Sequence, residues 1–108
     1  MCRALKVLCV AETATALAEL KRAAVSAEWE LTPGATDEAD ALAQVHEERP
    51  HVLVLFGPFG GLARASLDAY PSIRILADRP LPVPSVVVSA LDEVRAAVLG
   101  RPAGGPVR

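Results

Sequence analysis

The sequence predicts an α/β fold, a three-layer sandwich in which a five-stranded parallel sheet lies between two layers of helix. Three observations predict it. Short, nearly continuous apolar runs alternate along the chain with segments of helical periodicity, which is the pattern of repeated strand–helix units. The strongest run, HVLVLF at residues 51–56, is rich in β-formers and almost wholly apolar, as a strand covered on both faces must be. Finally, 108 residues, 52% of them hydrophobic, supply one core and leave no room for a second.

The elements follow in order. Residues 5–10 (LKVLCV) read as the first strand, doubly covered. Over residues 13–27, Leu17, Leu20, Ala24 and Ala27 recur at three- and four-residue spacing opposite Glu19, Lys21 and Arg22, which predicts an amphipathic helix capped by Thr13 or Thr15. Residues 29–32 (WELT) alternate and end at the turn Pro33-Gly34, so a second, more exposed strand is expected near a sheet edge. A second helix is expected over residues 37–48, with Thr36 as cap, Ala39, Leu42, Ala43 and Val45 or His46 as its apolar stripe, and Pro50 as its stop. Residues 51–56 form the central strand. The GPFGG loop at 57–61 follows at its carboxyl end, where open parallel sheets place their sites.

A short third helix (62–70) and a fourth strand (72–77) come next. The segment DRPLPVP (78–84) is too rich in proline for a helix. A fifth strand (85–89) and a short final helix (92–99), with Val94, Ala97 and Val98 turned inward, close the domain. The domain is thus expected over residues 3–100, with 101–108 a flexible tail or linker stub. Short connections imply right-handed crossovers and a doubly wound sheet.

Composition narrows the function. Net charge is −2, basic residues are scattered, and Trp29, Phe56, Phe59 and Tyr70 are the only aromatics, so neither an electrostatic footprint nor a stacking platform for nucleic acid is present. No run approaches the roughly 18 apolar residues of a membrane span, and the N-terminus lacks the cleavage pattern of a signal peptide. A cytoplasmic location is the expectation, with Cys2 and Cys9 kept as structural thiols.

The stretches LKVLCVAETATALAELKRA and ATDEADALAQVHEERPHVLVLFGP resemble the receiver domains of bacterial response regulators, the input modules of two-component signalling. In that family a lysine-led strand ends in paired acidic residues, an amphipathic helix follows, and a second helix leads into the strand that bears the phosphorylated aspartate. The resemblance covers roughly the first 60 residues, and the distance from Lys6 to Pro50 matches the family's spacing. It implies a flavodoxin-like, receiver-like fold. It also places the family's chemistry on residues that cannot perform it.

The acidic-pair positions fall on Ala11 and Glu12, the phosphoacceptor on Phe56 or Gly57, the switch hydroxyl near Ala77 or Asp78, and the lysine of the last strand near Ser89. One carboxylate of three survives, too few for a Mg²⁺ ion, and neither Phe nor Gly can accept a phosphoryl group. The family's fourth helix is also missing. What the resemblance then implies is an aspartate-less pseudo-receiver, like those at the front of some regulators and pilus-assembly ATPases, acting through protein–protein contact without phosphorylation.

The expected partner is a protein, in one version a second copy in a homodimer, with no nucleic acid and no membrane involved. Candidate contacts are Phe59, read as exposed at the tip of the glycine loop, and the stiff apolar segment Leu81, Pro82, Val83, Pro84. Two alternatives stand beside this reading. CVAETATAL loosely resembles the CxxGxSTSL loop of small sugar-transport phosphocarriers, which would make Cys9 a phosphocysteine, although Glu12 stands where that loop has glycine. The other is a small-ligand site around Glu12, Gly57 and Asp78. His46 and His51 have no ligand partners at metal-binding spacing, and no triad is legible, so no enzyme activity, metal or cofactor is expected.

Overall fold

The computed structural model describes residues 5–26, 29–83, 85–88 and 91–98; the expectations placed on Cys2, Pro84, Ser89 and the tail 101–108 lie outside them. Its elements are β1 (Leu5–Ala11), α1 (Ala14–Ala24), β2 (Trp29–Leu31), α2 (Glu38–Glu48), β3 (Val52–Phe56), α3 (Gly60–Ala69), β4 (Arg74–Ala77), β5 (Val86–Val87), a single 3₁₀ turn (Leu91–Glu93) and α4 (Val94–Val98). All strand pairings are parallel, in the order β2-β1-β3-β4-β5, which is the flavodoxin-like topology.

The apolar runs become the inner strands because both of their faces are covered. Val7, Cys9 and Ala11 of β1, Val52 and Val54 of β3 and Leu76 of β4 point to one side, where Leu20 and Ala24 of α1 and Val94, Ala97 and Val98 of α4 close over them. Leu8, Val10, Leu53, Leu55, Ile75 and Ala77 point to the other, against Ala41 and Val45 of α2 and Leu62 and Ala63 of α3. This alternation is the period-2 geometry of a strand read out as two half-cores. Each fully buried leucine contributes about 2 kcal/mol of apolar transfer free energy.

Local chemistry sets the ends. The Thr13 hydroxyl accepts a hydrogen bond from the Ala16 N–H at 3.0 Å and starts α1. The buried Trp29 indole donates to the Ala24 carbonyl at 2.8 Å, which satisfies an orphan acceptor at the end of that helix. Helix α1 ends at Ala24, short of the expected Ala27, which is outside the described residues. The cap of α2 is Asp37, not Thr36: its carboxylate takes the Asp40 N–H at 2.7 Å. The buried positions of α2 are Ala41 and Val45, with Leu42 half-buried, whereas Ala39, Ala43 and His46 are exposed, so the stripe is rotated from the expected one.

Two further differences concern the loops. Helix α3 begins at Gly60, so the glycines expected in a turn form its first turn. Between β4 and β5, the described residues of 78–85 contain no helix, which agrees with the absence of the family's fourth helix. Strand β4 starts two residues later than expected, at Arg74, and ends at Ala77 as expected, β5 starts at Val86 rather than Ser85, and β2 and β5 are the two edges.

Candidate functional site

The carboxyl ends of β1, β3 and β4 converge, as the topology requires. Ala11 is the register partner of Phe56, Glu12 follows it into solvent, and Gly57 leads out of β3. The Asp78 N–H donates to the Leu55 carbonyl at 3.2 Å, which brings the β4 end against the same corner. Five of the six degenerate positions, Ala11, Glu12, Phe56, Gly57 and Asp78, therefore form one constellation. The sixth, Ser89, is outside the described residues.

Gly57 fixes the character of this corner. Its φ of 141° is one that L side chains rarely adopt. A Cβ there would lie 2.8 Å from Cγ of Glu12 and 2.8 Å from Cε2 of Phe59. The neighbouring alternative, Phe56, is half-buried against the α1 side of the sheet. One phosphoacceptor position thus has no space for a side chain and the other holds a ring.

Asp78 occupies the corner instead. Its Oδ1 accepts the Gly57 N–H at 3.2 Å and Arg79 Nε at 3.0 Å, and its Oδ2 accepts Arg79 Nη2 at 3.2 Å. The hydrogen bond and the charge of Asp78 hold the Arg79 guanidinium above its usual pKa, with Glu12 a small further contribution. A forked guanidinium on a carboxylate is the strong form of such a pair, though Arg79 is exposed and water screens it. Among the described residues, no group of three or more His, Cys, Asp or Glu side chains is placed to hold a metal ion.

The candidate partner contacts are corrected in part. Phe59 is 7% exposed: its ring is packed in the α2/α3 half-core, and no anchor projects from the loop. The sharp turn at Gly57, with the Phe59 N–H donating to the Gly57 carbonyl at 2.9 Å, folds the ring inward. Leu81 and Val83 are half-buried against the same half-core, while Pro82 is exposed with its carbonyl taking a long 3.5 Å bond from Arg64. Among its described residues the segment is mainly a packed connection, of which Pro82 presents the exposed surface.

Cys9 lies mid-strand, 1% exposed, and burial pushes its thiol pKa up to about 12. A thiol held protonated and buried in the α1/α4 half-core is the opposite of an activated phosphocysteine. The histidines are elsewhere: His46 is exposed on α2, and His51 Nδ1 accepts the Lys6 N–H at 3.0 Å at the amino end of the sheet. Near it, Lys6 pairs with Glu48 at 3.0 Å. Sequence reasoning missed Arg79; the signal was an arginine directly after an acid at a strand end, where a forked pair is sterically easy.

This fold and this corner define a flavodoxin-like α/β domain whose carboxyl-end chemistry is internally satisfied. Comparison with protein-family models finds no match, and comparison with curated proteins finds no significant relative. No described helix is long and apolar enough to cross a membrane.

Proposed function

We propose that this chain is a receiver-like domain that works without phosphorylation, as a regulatory protein–protein interaction or oligomerisation module of the bacterial cytoplasm. The observation that carries the reading is the occupancy of the carboxyl-end corner. Phosphoryl chemistry there needs a carboxylate nucleophile on β3 and two further carboxylates for a dication. In their place stand a glycine whose Cβ would meet neighbours at 2.8 Å, an exposed Glu12, and an Asp78 already bonded to Gly57 and Arg79. A corner that neither accepts nor releases a phosphoryl group has one state, which suits a constitutive contact module.

The test is light scattering after size exclusion over a range of concentrations, with and without acetyl phosphate and Mg²⁺. The expected result is a mass indifferent to both additions. A phosphate-dependent change in mass, or a phosphoryl group found on the protein by mass spectrometry, overturns the reading.

A further inference from the structure

The two edges of the sheet are built differently. The β2 edge carries an exposed charge at Glu30, one of the common guards against strand addition. The β5 edge carries none: Ser85, Val86, Val87 and Val88 are uncharged, and Val86 and Val87 are 49% and 48% exposed. They are two of the three exposed large hydrophobics among the described residues. Beside them a shallow groove of about 370 Å³ is lined by Leu67, Pro71, Ile73, Ile75, Ser85 and Val86, with the exposed Arg74 of β4 also at its wall.

The backbone of this edge has a defined polarity. Val88 donates its N–H to the Ala77 carbonyl at 2.7 Å, and Val87 is the register partner of Ala77. Because successive residues of a strand turn their N–H and C=O to opposite sides, Val87 turns both groups to the open side. No described strand lies beyond it.

The sequence around Val87 is a palindrome, Ser-Val-Val-Val-Ser over residues 85–89. A two-fold interface demands a strand that complements itself, residue i meeting j as j meets i. Antiparallel pairing centred on Val87 sets Val87 of one copy opposite Val87 of the other, and Val86 opposite Val88. Apolar then meets apolar, with no charge to be matched. The residue at the centre is the one whose N–H and C=O face outward, so the two copies exchange two hydrogen bonds there.

We propose that the β5 edge is a self-pairing surface, joining two copies through Val87 into one continuous ten-stranded sheet. This rests on the reading of the chain as a contact module and names its partner, a second copy.

The experiment is light scattering after size exclusion, from about 1 µM to about 1 mM protein, on the wild type, Val87→Lys and Val87→Pro. Val87→Lys places like charges opposite each other across the two-fold. Val87→Pro removes the outward N–H while leaving the β4-facing bonds intact, a position at which edge strands tolerate proline. The expected result is a wild-type dimer, with self-association weakened roughly tenfold or more in both variants, and far-ultraviolet circular dichroism unchanged. If Val87→Pro fails to fold, Val87→Lys decides alone. A wild type monomeric throughout, or a dimer indifferent to the variants, overturns the edge pairing. Parallel runs with acetyl phosphate and Mg²⁺ keep the two ideas apart, since a phosphate-dependent mass overturns the contact-module reading, whatever the variants do.

Discussion

Gly57→Ala tests the geometry of the carboxyl-end corner most directly. Two costs follow from the structure. The φ of 141° is unfavourable for any L side chain, and holding one there costs about 1–3 kcal/mol. The new methyl would lie 2.8 Å from Cε2 of Phe59, a ring packed in the core, and displacing it costs a further 1–3 kcal/mol or so. The overlap with Cγ of Glu12, also 2.8 Å, costs little because that side chain is exposed and swings away. The total is about 2–6 kcal/mol, a large share of the roughly 5–15 kcal/mol of a small domain. Urea unfolding at 25 °C measures it, and a Glu12→Ala background should return almost none of the loss. Gly57→Asp, which supplies the family's missing nucleophile, should be at least as destabilised. A loss below about 0.5 kcal/mol, the range of an ordinary surface change, would refute the account of position 57.

Three other outcomes are expected. The Cys9 thiol, with its pKa raised from 9.0 to about 12, stays protonated in the folded chain while the unfolded chain ionises. Its contribution to stability is therefore full below pH 9 and is lost as pH rises toward 12, at up to about 1.4 kcal/mol per pH unit; Cys9→Ala should remove that part of the slope in alkaline unfolding curves. Asp37→Ala should cost about 1 kcal/mol in thermal or urea unfolding, and Thr36→Ala close to nothing, because Asp37 bonds the Asp40 N–H. Asp78→Ala removes the acceptor of the Gly57 N–H, so hydrogen exchange at that amide should accelerate, whereas the Ala63 amide, bonded to the Phe59 carbonyl, keeps its protection.

What the sequence revealed and what it hid divide along one physical line. Strands β1 and β3 were legible because burial on both faces leaves a run of five or more apolar residues, a signal that local reading detects. The stripe of α2 was not, since Ala39, Ala41 and Ala43 are identical side chains and only the packing of the helix on the sheet selects Ala41. Thr36 and Asp37 are both good cap residues, and the choice between them depends on how the chain arrives from β2. Gly-Pro-Phe-Gly-Gly has the composition of a turn, yet Phe59 is buried because a core lies beneath it, a tertiary fact absent from the local sequence. The corner itself was half legible. Its degenerate positions were placed by spacing, but the bond from the Gly57 N–H to Asp78 joins residues 21 apart through a backbone donor that no side-chain motif announces.

The distribution of satisfied and unsatisfied groups then argues for where this domain meets its surroundings. At the carboxyl end, Asp78 takes both the Gly57 amide and the Arg79 fork, and Phe59 fills the space beneath the loop. At the amino end, Lys6 pairs with Glu48 and His51 accepts the Lys6 amide. At the lateral edge of β5, two valines are about half exposed, and the strand-forming groups of Val87 face outward. Residues 78–85 join β4 to β5, and of those described, Leu81 and Val83 pack on the α2/α3 half-core. The described residues that follow, 85–88, carry no charge to deter strand addition, and on that feature the proposed pairing of two copies rests.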